Sequence, residues 1–84
     1  MLIIRSQNGM KHEFNKFLLA YEATATGEEY YTEAEFPGGR IADFINLDNG
    51  LVTEVADSES DESLKEKEGF YKKLGLKFEV KKVF

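Results

Sequence analysis

Two carboxylates in unusual surroundings are the residues most able to do chemistry. Asp43 lies within Ile41-Ala42-Asp43-Phe44-Ile45 and Glu54 within Leu51-Val52-Thr53-Glu54-Val55-Ala56, runs that otherwise read as buried strand. An acid inside an apolar strand is costly unless paired, hydrogen-bonded or metal-bound. Between the runs stands Asp48-Asn49-Gly50, and Asn-Gly tolerates the two positive φ angles of a type I′ hairpin turn. With Asn49 and Gly50 as the central pair, Glu54 falls opposite Ile45, one diagonal step from Asp43. A register shifted by two residues sets Asp43 directly opposite Glu54. Side-chain direction alternates with period two, so either register puts the acids side by side.

Adjacent carboxylates repel, so the pair implies a cation or a raised pKa. Oxygen ligands favour Mg²⁺, Mn²⁺ or Ca²⁺ over softer metals. Such an ion polarises a phosphodiester and acidifies bound water. The bland alternative is two acids on a solvated sheet face, beside Arg40 or a helix lysine.

The elements that must position the pair follow from periodicity. Leu2 to Arg5 is a short β-branched run, a strand or extended lead-in, and Ser6 and Asn8 are helix-start residues. Met10, Phe14, Phe17, Leu18 and Tyr21 then fall on one apolar stripe, predicting a helix over about 10–26 that Gly27 ends. Residues 29–36 alternate like a strand, Pro37-Gly38-Gly39 turns the chain, and 40–47 and 51–56 complete a meander. The segment 57–62, rich in Asp, Glu and Ser, suits a helix N-terminus. A second helix over 61–74 has Leu64, Phe70, Tyr71 and Leu74 on its buried side, and residues 76–84 form a last strand. The expected fold is an α+β sandwich of one domain, residues 1–84. A small mixed β-sheet with a central β-meander carries two helices in the order β-α-β-β-β-α-β.

Composition bounds the function. The chain has 84 residues, no cysteine and a net charge of −5. Disulfides, thiolate nucleophiles and cysteine zinc sites are excluded. Residues 1–62 hold four basic residues against thirteen acids, a net of −9, while residues 63–84 hold seven lysines against three acids, a net of +4. Such an acidic body is no general nucleic-acid coat, though a basic end can touch phosphate locally. No apolar run approaches the length of a membrane span, so no membrane partner is expected and the cytoplasm is the default compartment. Phosphate loops, dinucleotide glycine motifs and nucleophile elbows are absent.

Gly39-Arg40-Ile41-Ala42-Asp43 in one strand and Glu54-Val55-Ala56 in the next, within this element order, resemble the PD-(D/E)XK nuclease superfamily. The likeness is to its competence-type branch, where an Arg-x-x-Asp strand precedes a Glu-x-Gln or Glu-x-Lys strand. There a Ser and a helix with a Leu-x-x-Arg-x-x-x-Tyr pattern follow. Ser58, Leu64, Lys67 and Tyr71 match that spacing, and Glu13 stands in the first helix where such nucleases often carry an acid. The resemblance covers roughly residues 10–80. It implies Mg²⁺-dependent cleavage of nucleic acid, with Asp43, Glu54, Glu13 and Val55 about the metal and Lys67 assisting. Mn²⁺ or Ca²⁺ are alternatives for the ion. The motif's Lys or Gln is Ala56 here, which makes Lys67, then Lys65, the replacement amine. The small size suggests a homodimer.

The rival reading is a non-catalytic divalent-cation-binding (Ca²⁺ or Mg²⁺) or protein-interaction domain of the same fold. His12 is a general-base candidate by its titration range, against the plain alternative of a surface imidazole. Glu33 and Glu35 are candidate extra ligands, against exposed strand positions. Segment 57–62 lacks EF-hand spacing, so solvated capping is its better reading.

Overall fold

The computed structural model describes residues 2–5 and 9–83. Its elements are α1 (Met10–Ala25), β1 (Tyr30–Glu35), β2 (Ile41–Asn46), β3 (Leu51–Ala56), α2 (Asp61–Lys73) and β4 (Lys77–Lys82). The class is α+β, and the order α-β-β-β-α-β lacks the leading strand. Residues 2–5 do not join the sheet because side chains take their amides. Ile3 N–H donates to Thr32 Oγ1 (2.6 Å) and Arg5 N–H to Glu13 Oε1 (2.5 Å). Ser6 and Asn8, expected at the helix start, and Phe84, expected in the last strand, lie outside the described residues.

The sheet runs β1-β2-β3-β4, with the first three strands antiparallel in sequence and β4 parallel to β3. A parallel neighbour requires a crossover, which α2 supplies. The β2–β3 hairpin therefore occupies the centre. Its register pairs Asn46 with Leu51, Ile45 with Val52 and Phe44 with Thr53, so the loop has four residues and no type I′ pair. The Asn46 carboxamide decides this by accepting from the amides of Asp48 (2.9 Å) and Asn49 (3.3 Å). Within the loop only Gly50 takes a positive φ, 69°. The next step of this register sets Asp43 against Glu54.

The helix α2 follows its sequence. Ser60 Oγ accepts from Ser63 N–H (3.2 Å), acids stand in the first turn and lysines in the last, which suits the helix dipole. Leu64 and Tyr71 are buried, and Phe36 and Phe78 lie 5.2 and 5.8 Å from the Tyr71 ring. Leu74 departs from expectation: it caps the helix and is exposed.

The helix α1 inverts its pattern. Its buried residues are Glu13, Lys16, Ala20 and Ala23, while Met10, Phe14, Phe17 and Tyr21 are 85%, 57%, 42% and 64% exposed. An apolar stripe is ordinarily the face a helix turns to its sheet. Here Ala20 and Ala23 allow close approach to Phe44. Towards the N-terminus, ion pairs carry Glu13 and Lys16 inside. Gly27, at φ 74°, ends the helix as expected, with Glu28 N–H donating back to Ala23 O (2.8 Å).

Candidate functional site

The sheet opens where the acids stand. The β1–β2 ladder pairs Thr32 with Phe44 and Ala34 with Ala42 but passes over Glu33 and Asp43. The β2–β3 ladder ends at Phe44 and Thr53, short of Asp43 and Glu54. Glu33 takes a positive φ of 53°, the one non-glycine residue among those described to do so. Such a conformation in mid-strand costs about 1–3 kcal/mol and marks over-determined sites. Strand alternation also slips here. Ala42 and Ile45 both pack with Tyr71, whereas Phe44 packs with Ala20 and Ala23.

Carboxylates fill the gap in the ladder. Asp43 N–H donates to Glu54 Oε2 (3.0 Å), and Val55 N–H donates to Asp43 Oδ2 (2.8 Å). Each acid thus caps an amide on the neighbouring strand, and the two lie on one side of an open cleft of about 390 Å³. Val55, His12, Ser58, Glu59 and Lys67 line it too. Lys67 Nζ reaches in from α2 to 2.8 Å from Glu54 Oε1 and also pairs with Glu59. Lys65 instead lines a separate depression with Phe78 and Glu79.

From the other side α1 brings His12, whose Nε2 is 3.4 Å from Asp43 Oδ2. A carboxylate only accepts hydrogen bonds, so His12 donates through Nδ1 to Glu13 Oε2 (2.8 Å). Glu13 does not line the cleft; it stands behind His12, with Lys16 Nζ 2.8 Å from its Oε1. That pair lacks hydrogen-bond alignment at the ammonium. Lys16 Nζ is also 3.6 Å from Glu33, which Arg5 Nε meets at 2.7 Å. Glu33 is therefore a buried ion-pair partner, its side chain 7% exposed, and not the solvated strand residue that its position suggested. His12, expected at the surface, is likewise drawn between two carboxylates.

The electrostatics are uneven across the cleft. Burial first, then the Glu54 charge, lifts Asp43 from 3.8 to about 6, against the Val55 amide and His12, which favour ionisation. Burial opposes the charge on Lys67, but its hydrogen bonds with Glu54 and Glu59 prevail and hold its pKa above the ordinary value. Burial likewise pushes Glu59 up, yet Lys67 and Ser63 outweigh it and hold it below the usual range. The lysine thus divides one positive charge between Glu54 and Glu59 and leaves Asp43 short of positive charge. Asp43 Oδ1 takes no hydrogen bond or ion pair among the described residues.

This donor set suits a hard cation: two carboxylates, one with an unengaged oxygen, in a water-accessible cleft. Mg²⁺ commonly takes one or two carboxylates and retains waters. No group of three or more His, Asp or Glu side chains placed to hold a metal occurs among the described residues. Residue types alone gave no sign of the roles of Lys16 or Arg5, because both depend on the kink at Glu33. Glu59 was readable as a cap but not as the partner of Lys67. No family model, curated protein or solved structure matches the chain.

Proposed function

We propose that the protein is a metal-dependent nuclease-like domain acting on nucleic-acid phosphodiesters, with Asp43 and Glu54 holding Mg²⁺ (or Mn²⁺ or Ca²⁺). The observation that carries this reading is the amine of Lys67, 2.8 Å from Glu54 Oε1 in an open cleft that Asp43 also lines. A bound divalent ion would polarise the phosphodiester and lower the pKa of a water. Lys67 supplies a fixed positive charge where an attacked phosphate gains negative charge. The Asp43 carboxyl, lifted to about 6 by burial and then by the Glu54 charge, would be drawn towards its ionised form by a bound cation. Val55 holds Asp43 through its amide, and Glu13 orients His12.

One observation favours a second reading. The absence of a three-ligand group among the described residues fits a domain that binds a cation weakly, or a protein partner, without catalysis.

The test is nicking of supercoiled DNA and of a single-stranded RNA with Mn²⁺ or Mg²⁺ at low salt, where phosphate contacts count most. The nuclease reading expects weak cleavage, lost in Asp43→Asn and reduced at least ~10-fold in Lys67→Ala, with Lys73→Ala unchanged. Amide shifts at Asp43, Glu54 and Val55 should move with the same ions. Equal cleavage by wild type and Asp43→Asn overturns catalysis. Ion-dependent shifts without cleavage support the cation-binding form of the second reading, and unmoved shifts overturn both metal readings and leave only the protein-partner form.

A further inference from the structure

The exposed face of α1 carries a requirement that the cleft does not explain. Met10, Phe14, Phe17 and Tyr21 are spaced four, three and four residues apart, the seam along which helices pair. Ile4, 58% exposed, extends the same patch. At 150–250 Å² for each large side chain, these five leave roughly 600 Å² of apolar surface open, the upper end for a monomer. The other exposed large hydrophobics, such as Tyr31 and Leu74, belong to other elements.

We propose that this face is the interface of a homodimer in which α1 packs antiparallel against α1 of a second copy. Three features select a second copy as the occupant. The patch is self-complementary in shape: its N-terminal half is a groove of about 470 Å³ between Leu2 and Ile4 and the side chains of Met10, Phe14 and Phe17, with Glu13 at its border. Its C-terminal half presents Tyr21, tilted against Phe17 with ring centroids 6.2 Å apart. A two-fold axis between Phe14 and Phe17 sets the partner's Tyr21 over that groove, and the converse. Charge agrees, because Lys11 flanks one end and Glu22 the other, and antiparallel pairing brings the two ends together. Area agrees as well, since two copies would bury about 1,200 Å², the lower bound for a specific interface. Glu13 borders the groove as well, but Asp43, Glu54 and Lys67 line a separate cleft, so the interface requires neither Asp43 nor Lys67. It stands or falls independently of the metal reading.

Sedimentation equilibrium of the full chain between micromolar and millimolar concentration tests this. The expected result is twice the monomer mass at the upper end. Phe14→Glu should weaken association by roughly 30-fold or more while leaving the circular dichroism of the fold unchanged. Because the chain has no cysteine, Met10→Cys and Tyr21→Cys variants report orientation. Mixed and oxidised, they should cross-link to each other faster than either does to itself. A monomer throughout the range overturns the proposal, as does a dimer that survives both Phe14→Glu and Phe17→Glu. Preferential self-cross-linking of each single variant overturns the antiparallel arrangement. Binding to neutral lipid vesicles with no dimer at any concentration assigns the face to a membrane surface and overturns the proposal.

Discussion

The two helices cover one sheet by different physics. The inward face of α2 is apolar, with Leu64 and Tyr71 buried and its lysines outside except for Lys67, which reaches the acid cleft. The inward face of α1 holds Glu13 and Lys16 in its first half and alanines in its second, and its bulky side chains face out. One helix is held by hydrophobic burial. The other is held by a chain of charges running from Arg5 through Glu33, Lys16, Glu13 and His12 to Asp43. An amphipathic pattern therefore states that a helix has an apolar face, but not what covers it. Buried charges are also an expensive way to secure a helix, and such arrangements persist where they position something. Here the chain of charges ends on the Asp43 carboxylate.

Removing a charge from each helix breaks the comparison most sharply. Lys16 is fully buried, so Lys16→Ala leaves Glu13 and Glu33 with one cation fewer inside the protein, at about 3–5 kcal/mol. Lys72→Ala on α2 removes only an exposed pair with Glu68 and should change stability by less than ~0.5 kcal/mol. Urea unfolding of both variants measures the contrast. Equal losses would deny the charged face of α1 its structural role.

Next in size is the cost of the acid where the chain of charges ends. Asp43 has a folded pKa of about 6 against an unperturbed 3.8. A carboxyl raised on folding takes up a proton on folding, so stability is greatest below the lower value and falls as the pH rises through 4–6. Asp43→Asn keeps an acceptor for Val55 N–H and should stabilise by about 2–3 kcal/mol at pH 7.5, near 10 °C in Tm. The gain should vanish at pH 3.5. Calorimetry at both values checks it, and an equal gain at both would assign the effect to packing and not to charge.

A smaller effect than that at Asp43 belongs to the apolar side. Tyr71 is fully buried and its hydroxyl has no hydrogen-bond partner among the described residues. Burial, then the Glu54 charge, pushes its pKa up to about 12. Tyr71→Phe keeps the ring against Phe36 and Phe78 and removes an unsatisfied polar group, so a gain of up to ~1 kcal/mol is expected in urea unfolding. A loss would mean that the hydroxyl finds a partner in solution and that α2 too is held partly by polar contacts.

Much of the fold was legible because it rests on local rules. Ser60 and its following acids announce α2, the alternation of residues 29–36 announces β1, and the apolar runs about Asp43 and Glu54 announce the central hairpin. The adjacency of those two acids also follows from strand period alone. The register was not legible locally, because the Asn46 carboxamide competes with Asn49-Gly50 for control of the loop. Lys67 could be singled out by its place on α2, but its reach to both Glu54 and Glu59 requires the crossover that lays α2 against the sheet.

Sequence by itself determined the helices, the meander and the pairing of two carboxylates, since these depend on periods of 3.6 and 2 and on capping within a few residues. Tertiary structure alone decided which face of α1 turns inward, that Glu33 bends into a positive φ, and that His12, Lys16 and Arg5 join one network. Those outcomes depend on contacts between residues distant in sequence. The free energy of a buried charge is set by the partners that the fold brings to it, and no local pattern encodes them.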